Sequence, residues 1–155
     1  TSPGSRSEMR TIIDEMGGYY SYWETGKRAS LRELLINEGI AVHVSRVISP
    51  GHASWEYYGY DRREYARIRE MGPVVARSLM GNFEKSGLGL RLKYLSDGMS
   101  EDARRVGDFV VPERCGYYVG ARMVEQAIAT KGLAWTVRAG PAEIAEVAGD
   151  AAASA

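Results

Sequence analysis

"SLRELLINEGIAVHVSRVI", residues 30–48, decides the fold. Ser30 and Glu33 make the S-x-x-E pattern in which two side chains satisfy the free amides of a helix start, so the stretch opens as a helix. At about 100° per residue, Leu31, Leu34, Leu35, Glu38, Ala41 and Val42 fall on one arc. The apolar side of this helix therefore carries a carboxylate, Glu38, near its middle. A lone buried carboxylate is strongly disfavoured and has to be protonated, paired with a cation, hydrogen-bonded or bound to a metal. Arg62, Arg63, Arg67, Arg69 and Arg77 offer partners, and periodicity alone favours a structural ion pair with one of them. Gly39 points the other way. Glycine is costly inside a helix unless something approaches its backbone, so an acid followed by Gly39 and the small Ala41 suggests a site.

Working outward, helical spacing dominates and strand signals are few. A first helix is expected from near Ser7 through Met9, Ile12, Ile13 and Met16, weakened at Gly17 and Gly18, with the aromatic stretch "YYSYW" beyond it. "SPGHASWEYYGYD" reads as a loop or lid-like excursion. Asp61 caps a helix through Tyr65, Ile68 and Met71, and Pro73 starts another through Val75, Leu79 and Phe83. "LRLKYL" alternates and predicts a short strand. Ser100 is expected to cap a short helix, "EDARRVGDFV", that ends before Pro112. A long helix runs from Gly116 to Lys131 and stops at Gly132, and Pro141 opens the last one. The expectation is one mainly α-helical domain over residues 1–149, with a frayed, low-complexity tail at 150–155.

Composition narrows the function classes. Among 155 residues, 20 are basic and 20 acidic, which removes any global electrostatic reason for a nucleic-acid or anionic-membrane partner. "WEYYGYDRREYARIRE" mixes aromatics and arginines, but its acids balance the charge and its apolar residues follow a core stripe. No apolar run approaches the roughly 18–20 residues that span a bilayer. "SGLGLR" lacks the residues of a phosphate loop. A single cysteine, Cys115, excludes an internal disulfide, reads as a buried inert thiol and favours a reducing, cytoplasmic compartment.

Two segments carry a resemblance. "LLINEGIAVHV" resembles the glutamate helix of gluzincin-type metallopeptidases, in particular predicted zinc-dependent protease families in which HExxH is followed by an "EGLA" or "EGIA" segment. "VVPERCGYYVGARMVEQAI" resembles a later segment of the same families, with Pro112, Gly116, Tyr117 and Gly120 at the matching positions. The resemblance implies the helical C-terminal part of a zincin-like fold, a zinc cofactor with Glu38 as its third protein ligand, and a peptide or protein substrate. It also implies that Tyr117, with Tyr118 as the alternative, donates a hydrogen bond to the oxyanion. Independently, Gly120 and Ala121 make a small-residue patch that lets a second helix come close.

The two histidines of HExxH are absent. His43 lies about 140° around the helix from Glu38, too far round to share one ion, and a solvent-exposed role is expected for both it and His52. Either the chain is a piece whose HExxH helix precedes Thr1, or the motif has decayed in place. "SEMRT" and "DEMGG" each keep a glutamate in second position, Glu8 and Glu15, and spacing favours "DEMGG" with Glu15 in the general base's place. Glu38 alone cannot hold zinc tightly, so no HExxH-type hydrolysis is expected. Two other readings stay open: a non-catalytic helical module binding a peptide or small ligand, and a different enzyme using a raised-pKa glutamate with tyrosines.

Overall fold

The helix read from residues 30–48 forms as its caps dictate. In the computed structural model, which describes residues 28–149, helix α1 spans Leu31–Ile48. Its first turn has the reciprocal cap, with the Glu33 amide donating to Ser30 Oγ at 3.2 Å and the Ser30 amide donating to Glu33 Oε2 at 2.8 Å. Two further amides at this end are satisfied from a distant segment: Leu31 donates to the Lys85 carbonyl at 2.8 Å and Arg32 to that of Phe83 at 3.0 Å. A helix start with all its donors satisfied can be buried without penalty.

Six more helices follow among the described residues: α2 (Arg62–Glu70), α3 (Gly72–Met80), α4 (Leu88–Leu95), α5 (Gly116–Lys131), α6 (Leu133–Arg138) and α7 (Pro141–Ala148). Asp61 caps α2 with a capping box, and Pro73 sits in the first turn of α3. A two-stranded antiparallel hairpin, Arg105–Val106 against Phe109–Val110, is the only sheet among the described residues. The chain is mainly helical, as expected. The first expected helix and the tail at 150–155 lie outside the described residues.

Helix α5 is the hub. It packs against α1, α3, α4, α6 and α7, and α1 and α7 also meet each other. It is accordingly buried on more than one side, through Val119, Met123 and Ala127 as well as Gly116, Gly120, Ala121 and Val124. Among the described residues α1 and α5 come into backbone contact where Gly39 and Gly120 cross. A methyl group on Gly39 would collide with the Gly120 carbonyl, and one on Gly120 with the Leu35 carbonyl. Gly116 is boxed in similarly, with Leu35 Cδ2 and the Tyr94 carbonyl oxygen each 2.8 Å from where its Cβ would lie. Backbone atoms cannot step aside as side chains can, so glycine is required here.

Two expectations are corrected. "LRLKYL" is helical, within α4: Leu90 and Tyr94, four apart, both turn toward the core, and a short apolar run fits either period until packing selects one. "EDARRVGDFV" is a one-turn 3-10 helix, Asp102–Arg104, followed by the hairpin. Gly107, at φ 59°, makes the reversal that a helix would not allow, and Arg104 fastens the hairpin by donating to the carbonyls of Met99 and Val111. The segment after Gly132, for which the sequence pattern set no expectation, forms α6, held by Thr136 Oγ1 donating to the Gly132 carbonyl at 2.8 Å.

Gly120→Ala is expected to lower stability by about 1–3 kcal/mol or more in chemical denaturation, because overpacking here displaces backbone. Gly89→Ala in α4, where a Cβ meets nothing within 4 Å, is expected to change stability by no more than about 1 kcal/mol, in the stabilising direction. Equal effects at the two positions would count against the crossing.

Candidate functional site

The crossing rotates α1 relative to the arc read from its sequence. Its buried line is Leu31, Leu35, Ile36, Gly39 and Val42, with Gly39 at the centre; Leu34 and Glu38 are half-buried and Ala41 is exposed. Glu38 thus stands at the edge of the interface, one residue from the glycine that α5 approaches. Burial raises its pKa above the ordinary carboxylate value, and the guanidinium groups of Arg91 and Arg114 partly offset that by attraction. Among the described residues no cation stands within ion-pair distance of its oxygens. The arginines that influence it come from α4 and from the turn before α5, whereas the sequence offered Arg62, Arg63, Arg67, Arg69 and Arg77.

Arg114 connects Glu38 to Tyr117. Its guanidinium lies 5.1 Å from the centre of the Tyr117 ring and 5.8 Å from that of Tyr60. It donates to the carbonyls of Tyr58 at 2.8 Å and Gly59 at 3.0 Å, and its own carbonyl accepts the Tyr60 hydroxyl at 2.6 Å. Its backbone has φ 56°, the left-handed region that a side chain enters at a cost of about 1–2 kcal/mol. These contacts hold it there. Tyr117, in the first turn of α5, is half-buried beside this cation.

Tyr118 takes a different direction. It is buried, with ring centres 6.1 Å from Tyr58 and 6.2 Å from Tyr65. Tyr58 stacks on Tyr60 at 5.2 Å and on Tyr65 at 5.7 Å. The expected lid-like segment is therefore an anchored one, because Tyr58 and Tyr60 belong to the core. Burial raises the pKa of both phenols, which stay neutral at physiological pH. Cys115 is fully buried and its thiol is pushed up to about 12, as an inert core thiol should be.

His43 departs from its expected exposure. It is half-buried, and its Nε2 lies 2.9 Å from the Ala121 carbonyl, which only accepts, so Nε2–H donates across the interface between α1 and α5. Burial lowers its pKa, the Ala121 hydrogen bond opposes that, and Arg46 and Glu125 act in opposite senses. His52 is exposed, as expected. No group of three His, Cys, Asp or Glu side chains suited to a metal occurs among the described residues, so those residues by themselves do not fit a zinc ion at Glu38. Glu15 lies outside the described residues. Sequence reasoning missed Arg91, which carries no periodic or motif signal, and Arg114, which lies inside the quoted "VVPERCGYYVG" segment but at none of its matching positions.

The two shifted groups load stability in opposite directions. Glu38, raised when folded, contributes stability that is complete below the unfolded carboxylate pKa and is lost as pH rises through its folded pKa. Glu38→Gln is therefore expected to raise the denaturation midpoint at pH 7 relative to pH 4.5. His43, lowered when folded, contributes stability that is present above the unfolded imidazole pKa and is lost as pH falls through its folded pKa. His43→Gln should accordingly flatten the loss of stability between pH 7 and pH 5. Denaturant titrations of each variant across pH separate the two. Comparison with protein-family models, with curated proteins and with solved structures finds no match.

Proposed function

We propose that this chain is a relative of the gluzincin-type metallopeptidases whose zinc-binding half has decayed, leaving a helical module that binds a peptide or protein ligand beside Glu38 without hydrolysing it. The observation that carries this reading is Glu38 itself. It is a half-buried carboxylate with a raised pKa, next to the close helix contact at Gly39 and Gly120, influenced by two arginines and directly paired with no described residue. A half-buried carboxylate with no direct ion-pair partner among the described residues fits a site better than packing. The neighbouring Arg114 and Tyr117, at the start of the segment that also resembles the family, supply a cation and a phenol for the same ligand.

The retained glutamate at position 15 and the missing histidines at 14 and 18 support decay in place, with Asp14 and Gly18 where ligands belong. Zinc is accordingly expected to bind weakly or not at all.

The test restores what was lost. The full chain and its Asp14→His/Gly18→His variant are stripped with chelator and titrated with zinc in calorimetry, each with and without Glu38→Gln. The parent is expected to hold no stoichiometric zinc. The restored variant is expected to bind one equivalent, and Glu38→Gln to weaken that binding at least tenfold. One tightly bound zinc in the parent, with chelator-sensitive proteolysis, would overturn the decay; no gain in the restored variant would remove the descent from HExxH at residues 14–18.

A further inference from the structure

The segment after α1 holds a hydroxyl, an imidazole and a carboxylate in sequence, and neither the core nor the Glu38 site uses them. Ser49 is the C-terminal cap residue of α1, and its Oγ lies 3.0 Å from His52 Nε2. The other ring nitrogen, Nδ1, faces Glu56 Oε2 at 3.9 Å. A carboxylate on that side favours the tautomer with its proton on Nδ1, which leaves the Nε2 lone pair to accept from the Ser49 hydroxyl. Hydroxyl, imidazole and carboxylate stand in the order that activates a serine, with the carboxylate acting on the imidazole by its charge at 3.9 Å and not by a hydrogen bond.

Tyr57 holds this arrangement in place. Its hydroxyl donates to the Ser49 carbonyl at 2.9 Å and accepts the His52 amide at 3.2 Å, and its ring meets the imidazole edge-on at 5.7 Å. Glu56 is fixed by the Ala53 amide, which donates to Oε2 at 2.6 Å, and by the 3-10 turn Glu56–Tyr58 whose last residue is buried in the core. The turn is thus tied at both ends to rigid structure. The His52 and Glu56 side chains are each 52% exposed, so a small ester reaches the serine without any opening of the fold.

We propose that Ser49, His52 and Glu56 form an acyl-accepting site, in which Ser49 takes the acyl group of an activated carboxylic ester. Ser49 Oγ bonds to the acyl carbon while its proton passes to His52 Nε2. The bond from that carbon to the leaving phenolate or alkoxide then breaks, and the leaving oxygen takes the proton from the imidazolium. Ester and serine become acyl-serine and alcohol. Water, deprotonated by His52 in the same way, later releases the acid.

The same geometry sets the limits of the site. The Ser49 amide is spent on the Ser45 carbonyl at 2.9 Å and the His52 amide on Tyr57, so neither is available to an oxyanion. The negative end of α1 also opposes charge developing at Ser49. Arg46, whose guanidinium lies 5.6 Å from the centres of the Tyr57 and Tyr58 rings, is a cation in the last turn of the same helix. Lacking preorganised oxyanion donors, the site is expected to acylate with good leaving groups and to turn over slowly, since one such donor is worth about 10²–10³ in rate.

The full chain is mixed with p-nitrophenyl acetate, and nitrophenol release is followed together with intact mass and peptide mapping. The expected result is a burst of one equivalent with a single acetyl group on Ser49. Ser49→Ala and His52→Gln should each lower the burst rate at least tenfold and Glu56→Gln severalfold, while the exposed neighbour variant Ser54→Ala leaves it unchanged. Circular dichroism verifies that each variant is folded. An undiminished burst in Ser49→Ala or Glu56→Gln, or acetylation confined to lysines or to His52, would overturn the proposal.

Discussion

The structure depends on one contact, the crossing of α1 and α5 through Gly39 and Gly120. Backbone meets backbone there, with the Gly120 carbonyl against Gly39 and the Leu35 carbonyl against Gly120. Contact this close brings Leu35, Val42, Ala121 and Val124 into one packed seam, and it lets His43 reach the Ala121 carbonyl across it. Interiors are packed to crystal-like density, so a single methyl group at either glycine forces the two helices apart along the whole seam. Everything α5 organises, from α3 to α7, shares that dependence.

The crossing also explains why a carboxylate survives beside the core. Gly39 occupies the centre of the buried line, and Glu38, displaced by one residue, is partly desolvated yet still reached by solvent. It lies within the electrostatic influence of Arg91 and Arg114. Full burial would demand a direct partner, and full exposure would give no shift. The intermediate position leaves Glu38 with a pKa raised by partial burial and held in check by two arginines.

A second organising device is the exchange of hydrogen bonds between the Tyr58–Tyr60 segment and Arg114. The guanidinium caps two carbonyls of that segment, and the Tyr60 hydroxyl returns a bond to the Arg114 carbonyl. This closes the aromatic segment onto the start of α5 and fixes the turn that carries Ser49, His52 and Glu56 from the other side. The tyrosines supply large apolar area with hydroxyls that find partners, which lets a polar, turn-rich stretch serve as core.

The residues by themselves determined the local events. Ser30 with Glu33, Asp61, Pro73, Gly132 and Pro141 placed most helix ends, because capping and backbone freedom act within a few residues. Gly39 and Gly120 announced a close approach. Tertiary structure decided what period alone leaves open: that "LRLKYL" is helical, that the aromatic loop is core, that Gly39 rather than Glu38 faces α5, and that Arg91 and Arg114 are the cations near Glu38. Each of these depends on residues far apart in the chain meeting in space, and a pattern of local preferences holds no record of which ones meet.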